Sequence, residues 1–313
     1  MLTVFANVVL PVLTVAGFGY LLHRTLKPSL AALSQATLYV LAPALVFSSL
    51  TKTTLSAQDA LQIAGFSLVF TGAMLALSWG VARLNHFDRA LSSAFMISVL
   101  FMNAGNYGLS VALLAFGQTG LDRALVFFVT QAVLGNTFAV YLAASSQHGA
   151  GLAPLGAVLR MPMLYAGIAA LAISLAHFEL PTFVARATEL AGDAAVPMML
   201  LVLGMQLAQG SAFDAPVAVG LAVLLRLVLS VFVALGLTSL MGIEGLTRDV
   251  LLVLAGMPTA VFTIIVATEF NARPRFVTTV VVTSTVLSIL TVTVLLTALV
   301  GATKLEVLAG LAA

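Results

Sequence analysis

The chain has 313 residues, 61% hydrophobic and 8% charged, and its 13 Lys and Arg against 11 Asp and Glu leave a net charge of +2. Soluble domains carry about 25% charged residues, so this composition excludes a water-soluble globular protein and points to a polytopic membrane protein. No cationic run suggests a nucleic-acid footprint, and the absence of cysteine excludes disulfides and thiol chemistry.

A membrane-spanning helix needs about 20 mainly apolar residues. Ten segments qualify, at 4–22, 31–50, 60–82, 91–115, 124–145, 158–176, 188–209, 216–240, 249–268 and 276–300. Segment 1 is too long for a signal-peptide core and lacks a cationic start and a cleavage site, so it is expected to be a mature helix. It also carries Gly17-Phe-Gly19, a patch of small residues suited to close packing and not a nucleotide fingerprint. Segment 2 contains Pro43, and Asp59-Ala60 leads into segment 3. Segment 4 is interrupted by Asn103-Ala-Gly-Asn-Tyr-Gly108. Segment 5 carries Gln131 and Asn136 in mid-span. The polar, Gly-rich stretch from Ser145 to Gly156 follows. Segment 6 starts near Pro162, and segment 7 holds Asp193, Pro197 and Gln206. Segment 8 holds Arg226, segment 9 is interrupted by Gly256-Met-Pro-Thr259, and segment 10 carries Ser284, Thr285 and Ser288.

The landmarks repeat. Pro43 and Pro197 are 154 positions apart, Asp59 and Asp214 155, Gly105 and Pro258 153, and Pro11 and Pro162 151. A repeat of five spans is odd, so the second copy enters the membrane from the opposite face. The expected fold is therefore an all-α membrane protein of ten transmembrane helices, a 5+5 inverted repeat with broken crossover helices at segments 4 and 9. Residues 1–145 form the first repeat, 146–157 a short connection and 158–313 the second repeat. Seven Lys and Arg on the side of the loop between segments 1 and 2, against five on the other, favour both termini outside.

Glycine, asparagine and proline in mid-span free backbone groups that lipid cannot satisfy, which is tolerated where the break is buried in protein or lines a cavity. Each break begins a new half-helix whose N–H groups and dipole suit an anion. Asn103 and Asn106 add amide donors, Gly105 and Gly256 with Pro258 make the breaks, and Thr259 stands opposite Asn106. Tyr107 is placed to close over a ligand. The alternative is a kinked structural helix whose Asn and Thr satisfy its own freed backbone.

Neither break carries Asp or Glu. A cation site normally wants acidic oxygen ligands, so the cargo is expected to be an organic anion. Two charges lie well inside spans. Asp193 is either a protonatable coupling group or a helix-start carboxylate at the interface. Arg226 is either a second anion contact or half of a structural ion pair. Gln131 and Asn136 are ligand candidates because segment 5 should pack beside the segment 4 break; inter-helix hydrogen bonding is the other use open to them and to Gln206. His23, His86, His148 and His177 lie in or near loops without metal-ligand spacing. No cofactor or metal is expected, and the coupling ion, proton or sodium, stays open.

Residues 103–109 (NAGNYGL), 41–47 (LAPALVF), 197–206 (PMMLLVLGMQ), 256–258 (GMP) and 284–291 resemble the auxin efflux carrier family in its short prokaryotic form. The likeness spans nearly the whole chain. It implies an architecture similar to that of bile acid/sodium symporters, with segments 1, 2, 6 and 7 as scaffold and segments 3, 4, 5, 8, 9 and 10 as a moving transport domain. It also implies elevator-type transport of a small carboxylate, auxin-like or malonate- or malate-like, across the inner (plasma) membrane. Asn103 or Asn106 inherits the family's carboxylate contact, while Thr259 departs from the asparagine expected at the second crossover. A homodimer through the scaffold segments is compatible with this layout. The rival functions are a sodium-coupled symporter, with sodium at Gln131 or the break carbonyls, and a membrane receptor or structural subunit. No enzymatic motif is present.

Overall fold

In lipid, each backbone N–H and C=O must find its partner inside the protein, and an apolar chain without closed strands meets this with helices. The computed structural model describes residues 1–53, 55–135, 138, 142, 162–175, 178, 180–208 and 214–310, which are helical with no strand among them. Seven helices among the described residues are long and apolar enough to cross a membrane: α1 (Leu2–Thr25), α2 (Leu30–Lys52), α3 (Ala57–Leu84), α5 (Ala104–Leu134), α7 (Thr182–Leu207), α8 (Pro216–Leu240) and the apolar part of α11 (Pro274–Gly310). Between them lie four shorter helices, α4 (Arg89–Leu100), α6 (Pro162–Leu175), α9 (Gly245–Ala255) and α10 (Phe262–Glu269).

Helix starts follow local chemistry. Ser29, Ser56 and Asp88 cap α2, α3 and α4 by accepting from the amides of Ala32, Asp59 and Leu91 at 3.2, 3.0 and 2.8 Å. Proline shapes the interiors. Its ring crowds the carbonyl four residues back, and the helix is widened into a π-turn over Phe5–Val9 ahead of Pro11 and over Thr37–Leu41 ahead of Pro43. Ahead of Pro197 the helical hydrogen bonding of α7 is interrupted at Ala194.

The helix α5 is folded at Gly117, whose φ of 68° and ψ of −162° suit glycine. Asp122 and Arg123, which fall between segments 4 and 5 and so were expected in a connecting loop, instead belong to the helix beyond this turn. That arm returns beside the segment 4 break, since a methyl group built on Gly105 would stand 2.7 Å from the Phe128 ring.

Two groups of helices pack among themselves. In one, α7 lies on α1, and α2 packs against α6 and α7; in the other, α3, α4, α5, α8, α9 and α11 surround the breaks. Gly19 and Gly204 let α1 and α7 touch backbone to backbone. A methyl group at Gly204 would lie 1.7 Å from the Ala16 carbonyl oxygen, whereas one at Gly72 would meet nothing within 4 Å.

The Gly204→Ala variant is therefore expected to lose about 3 kcal/mol, seen as a clear fall in the melting temperature of the detergent-purified protein. Gly72→Ala should melt as the wild type does.

Candidate functional site

The helices α4 and α9 stop at Leu100 and Ala255, in the middle of segments that would otherwise span the membrane. The two released strands of chain satisfy one another. Met102 and Thr259 form an antiparallel bridge, with the Asn103 amide donating to Pro258 O at 2.7 Å and the Ala260 amide donating to Phe101 O at 2.8 Å. Pro258 lends its carbonyl and has no N–H to satisfy.

The C-terminal carbonyls of the two short helices find one shared donor. Arg226, fully buried in a π-turn of α8, donates from Nη1 to Val99 O at 2.7 Å and from Nη2 to Ala255 O, and its guanidinium lies over the Phe70 ring at 5.8 Å. Ser230 Oγ also donates to Ala255 O, at 2.9 Å. Each helix C-terminus carries a partial negative charge of roughly half an electron, so one cation facing two such ends is balanced without a carboxylate. The structure thus gives Arg226 neither an ion pair among the described residues nor a place at the cavity. It is a double C-cap.

The half-helices that restart differ. The first turn of α5, Ala104–Leu109, is a π-turn whose Asn103 makes no side-chain cap; the Ala104 amide turns back to Met102 O at 2.8 Å, and the N–H groups that follow it keep the freedom of a helix start. At α10 the chain tightens instead: the amides of Thr263 and Ile264 donate to Ala260 O and Val261 O at 3.2 and 3.0 Å, and Thr263 Oγ1 donates to Ala260 O at 2.6 Å.

A cavity of about 530 Å³ opens on the α5 start. Its polar lining is Ser34, Thr37, Asn103, Asn106, Gln131 and Gln206, and Gly105 contributes backbone. Apolar walls come from Leu38, Tyr39, Phe101, Phe128, Val202, Phe262 and Ile265. Among the described residues no Asp, Glu, Lys, Arg or His lines it. Asn103 Nδ2, Gln131 Oε1 and Gln206 Oε1 are buried without a hydrogen-bond partner. Polar atoms left so are costly and mark where a ligand or water would bind.

Asn103, Gly105, Asn106 and Gln131 thus come together, while other candidates do not. Tyr107 is 1% exposed and turns into the protein, not the cavity. Thr259 is spent on structure: its amide donates to Ser284 Oγ at 3.1 Å and its hydroxyl to Ser98 O at 2.8 Å. Gly256 and Pro258 shape the break without lining the cavity. Asp193 is exposed on α7, away from the cavity lining. Asn136 lies outside the described residues. Sequence reasoning missed the walls from α2, Leu38 and Tyr39, since apolar residues in an apolar span carry no signal of their own.

The cavity meets the first half of α2, whereas the far end of α2 is tied to α5. There Thr53 Oγ1 donates to Asp122 Oδ2 at 2.7 Å, and Gln118 Nε2 donates to Asp122 Oδ1 at 3.0 Å and to Ser49 Oγ at 3.2 Å. Asp122 is 6% exposed, a buried carboxylate held between the two groups of helices.

Comparison with known proteins places this geometry. Residues 155–296 match a family model described as membrane transport protein. An uncharacterized transporter of Methanocaldococcus jannaschii is 28% identical over 302 residues, covering 91% of this chain and 96% of the relative. Another, from Methanothermobacter thermautotrophicus, is 29% identical over 90% of this chain and 94% of its own. The chain is thus similar in its second half to membrane transport proteins, and over nearly its whole length to these two proteins named as transporters. A further relative, a Rhizobium meliloti protein provisionally named as a malonate transporter, is 26% identical over 93% of the chain and 94% of its own. The chain thus has the apolar helices of a multi-pass membrane protein and is similar over about nine-tenths of its length to proteins named as transporters.

Replacing Arg226 by Met would leave the Val99 carbonyl without its side-chain donor in a site closed to water. We expect a loss of about 3 kcal/mol in folding stability, measured by detergent or thermal unfolding. Arg226→Lys should recover only part of it, because an ammonium cannot fork to two carbonyls.

Proposed function

We propose that the protein is a secondary carrier of small organic anions, built as ten spans in a 5+5 inverted repeat with crossover helices at the two breaks. The observation that carries this reading is the start of α5. A half-helix N-terminus and the unpartnered Asn103 amide meet a cavity with no acidic side chain among its described lining residues. A carboxylate there would receive amide and backbone N–H donors on the favourable end of a helix dipole. The name given to the Rhizobium meliloti relative, with its reference to malonate, supports a carboxylate as cargo.

In this reading the repeats are residues 1–145 and 158–313, joined by 146–157. The helices α1, α2, α6 and α7 are the scaffold, and those around the breaks move past it as an elevator. The separate packing of the two groups supports such a division. The protein would sit in the inner membrane with both termini outside.

The Asn103→Ala and Asn106→Ala variants test the site. Carboxylate counterflow in proteoliposomes should proceed with the wild type and be lost in at least one single variant that still folds. Unchanged affinity in both would sink the site, and absence of exchange for every carboxylate would favour a receptor or structural role. Dependence of uptake on sodium or on a proton gradient identifies the coupling ion.

Alternating access also requires the Asp122 tie to open when the cavity closes. Hydrogen bonds to a charged group contribute about 1.5–3 kcal/mol. Asp122→Ala with Thr53→Val should therefore raise labelling of an Ala132→Cys reporter from the opposite membrane face by roughly tenfold. The chain has no native cysteine to compete. Equal labelling in the tied and untied proteins would count against the latch.

A further inference from the structure

A proton has a place to act in this fold, on the reading that α2 belongs to the scaffold and α5 to the moving group. Asp122 of α5 is buried where these two groups meet. Its two oxygens are met by two different donors. Thr53 Oγ1, at the end of α2, donates to Oδ2 at 2.7 Å. Gln118 Nε2 donates to Oδ1 at 3.0 Å and reaches Ser49 Oγ of α2 at 3.2 Å. The Leu55 amide donates to Thr53 Oγ1 at 3.2 Å, so the threonine oxygen is already an acceptor there and its single hydrogen is the one given to Asp122. Two donors converging on one carboxyl group is the arrangement that suits its ionised, acceptor-only form.

The charged groups at this end of the neighbouring helices are engaged with other partners. Lys52 of α2 and Glu189 of α7 hold each other at 2.7 Å, and Arg248 and Asp249 of α9 lie 3.2 Å apart. Asp59 of α3 accepts from Ser56 Oγ at 2.7 Å, and Arg123 donates to Thr247 Oγ1 and Thr119 O at 2.9 and 2.8 Å. Arg186 and Asp193 of α7 and the amine of Met1 are exposed. Hydrogen bonds to an ionised group are roughly twice as strong as neutral ones. A proton added to Asp122 therefore weakens the bond from Thr53, which crosses the boundary, and the bond from Gln118, which braces it. The tied arrangement favours the ionised carboxylate, so by linkage the proton favours the untied one. We propose that Asp122 is the proton-binding site through which a proton gradient acts on transport. Taking up a proton frees α5 from the end of α2, and returning it to water restores the tie.

The boundary can be read without any cargo. The chain has no native cysteine, so Leu61→Cys on α3 and Leu190→Cys on α7, at sites 74% and 77% exposed, place one spin label on each group of helices. Pulsed electron–electron double resonance on the full chain in lipid nanodiscs then gives the distances between them. One distance should dominate at pH 8. At pH 5 the ratio of a second distance to the first should rise about tenfold, the effect of exchanging charge-assisted hydrogen bonds for neutral ones. Asp122→Asn, which is neutral and of the same shape, should show the pH 5 distribution at both pH values. Glu189→Gln, which removes the neighbouring ion pair, should keep the full response to pH. Identical distributions at pH 5 and pH 8 with Asp122 in place would overturn the inference, and that comparison needs no change at the site. A response to pH that survives in Asp122→Asn would overturn it too. In both cases carboxylate counterflow that persists leaves the proposed carrier function standing. A single unchanging distance even in Asp122→Ala with Thr53→Val would overturn the elevator reading along with the inference.

Discussion

Everything around the breaks depends on one constraint: a chain interrupted at mid-membrane must satisfy its own backbone. The interruption at residues 101–103 does so by borrowing the interruption at 258–260, each supplying what the other lacks. Neither break is stable alone in a dry interior, so the two halves of the chain need one another at this point. The carbonyls released at the ends of α4 and α9 meet Arg226 for the same reason. A buried guanidinium is usually a liability; here the paired helix ends offset it.

The two breaks are equivalent in sequence position and unequal in use. The second spends its side chains on holding the crossing together, through Thr259, Thr263 and Ser284. That leaves the first free to keep Asn103 and the start of α5 uncommitted. A site built from one half and braced by the other gives the cavity a single polar pole. The remaining amides, Gln131 and Gln206, stand on other helices that reach the same space.

The helical class, the positions of the breaks and the convergence of Asn103, Gly105, Asn106 and Gln131 were legible because glycine, proline and asparagine punctuate apolar spans so strongly. Side-chain direction near a break was not. A π-turn over Ala104–Leu109 changes the helical phase, and Tyr107, expected to close over a ligand, is buried away from the cavity. Arg226 was misread because charge rules look for a carboxylate, and its partners are carbonyl groups that sequence does not display. Asp122 was expected in a loop, since charge normally marks one. Its partners Thr53 and Gln118 come from the end of α2 and from its own helix, and only the turn at Gly117 brings it under cover.

Gly19 and Gly204 carry a mechanical consequence. Where two helices touch through backbone atoms there is no rotamer to change and no side chain to compress, so α1 and α7 form a strut of fixed width. Val202 and Gln206, on the α7 limb of that strut, line the cavity. This wall therefore behaves as a fixed datum. Any narrowing or widening of the cavity around a passenger has to be taken up by the opposite wall, where Asn103 and Gln131 stand.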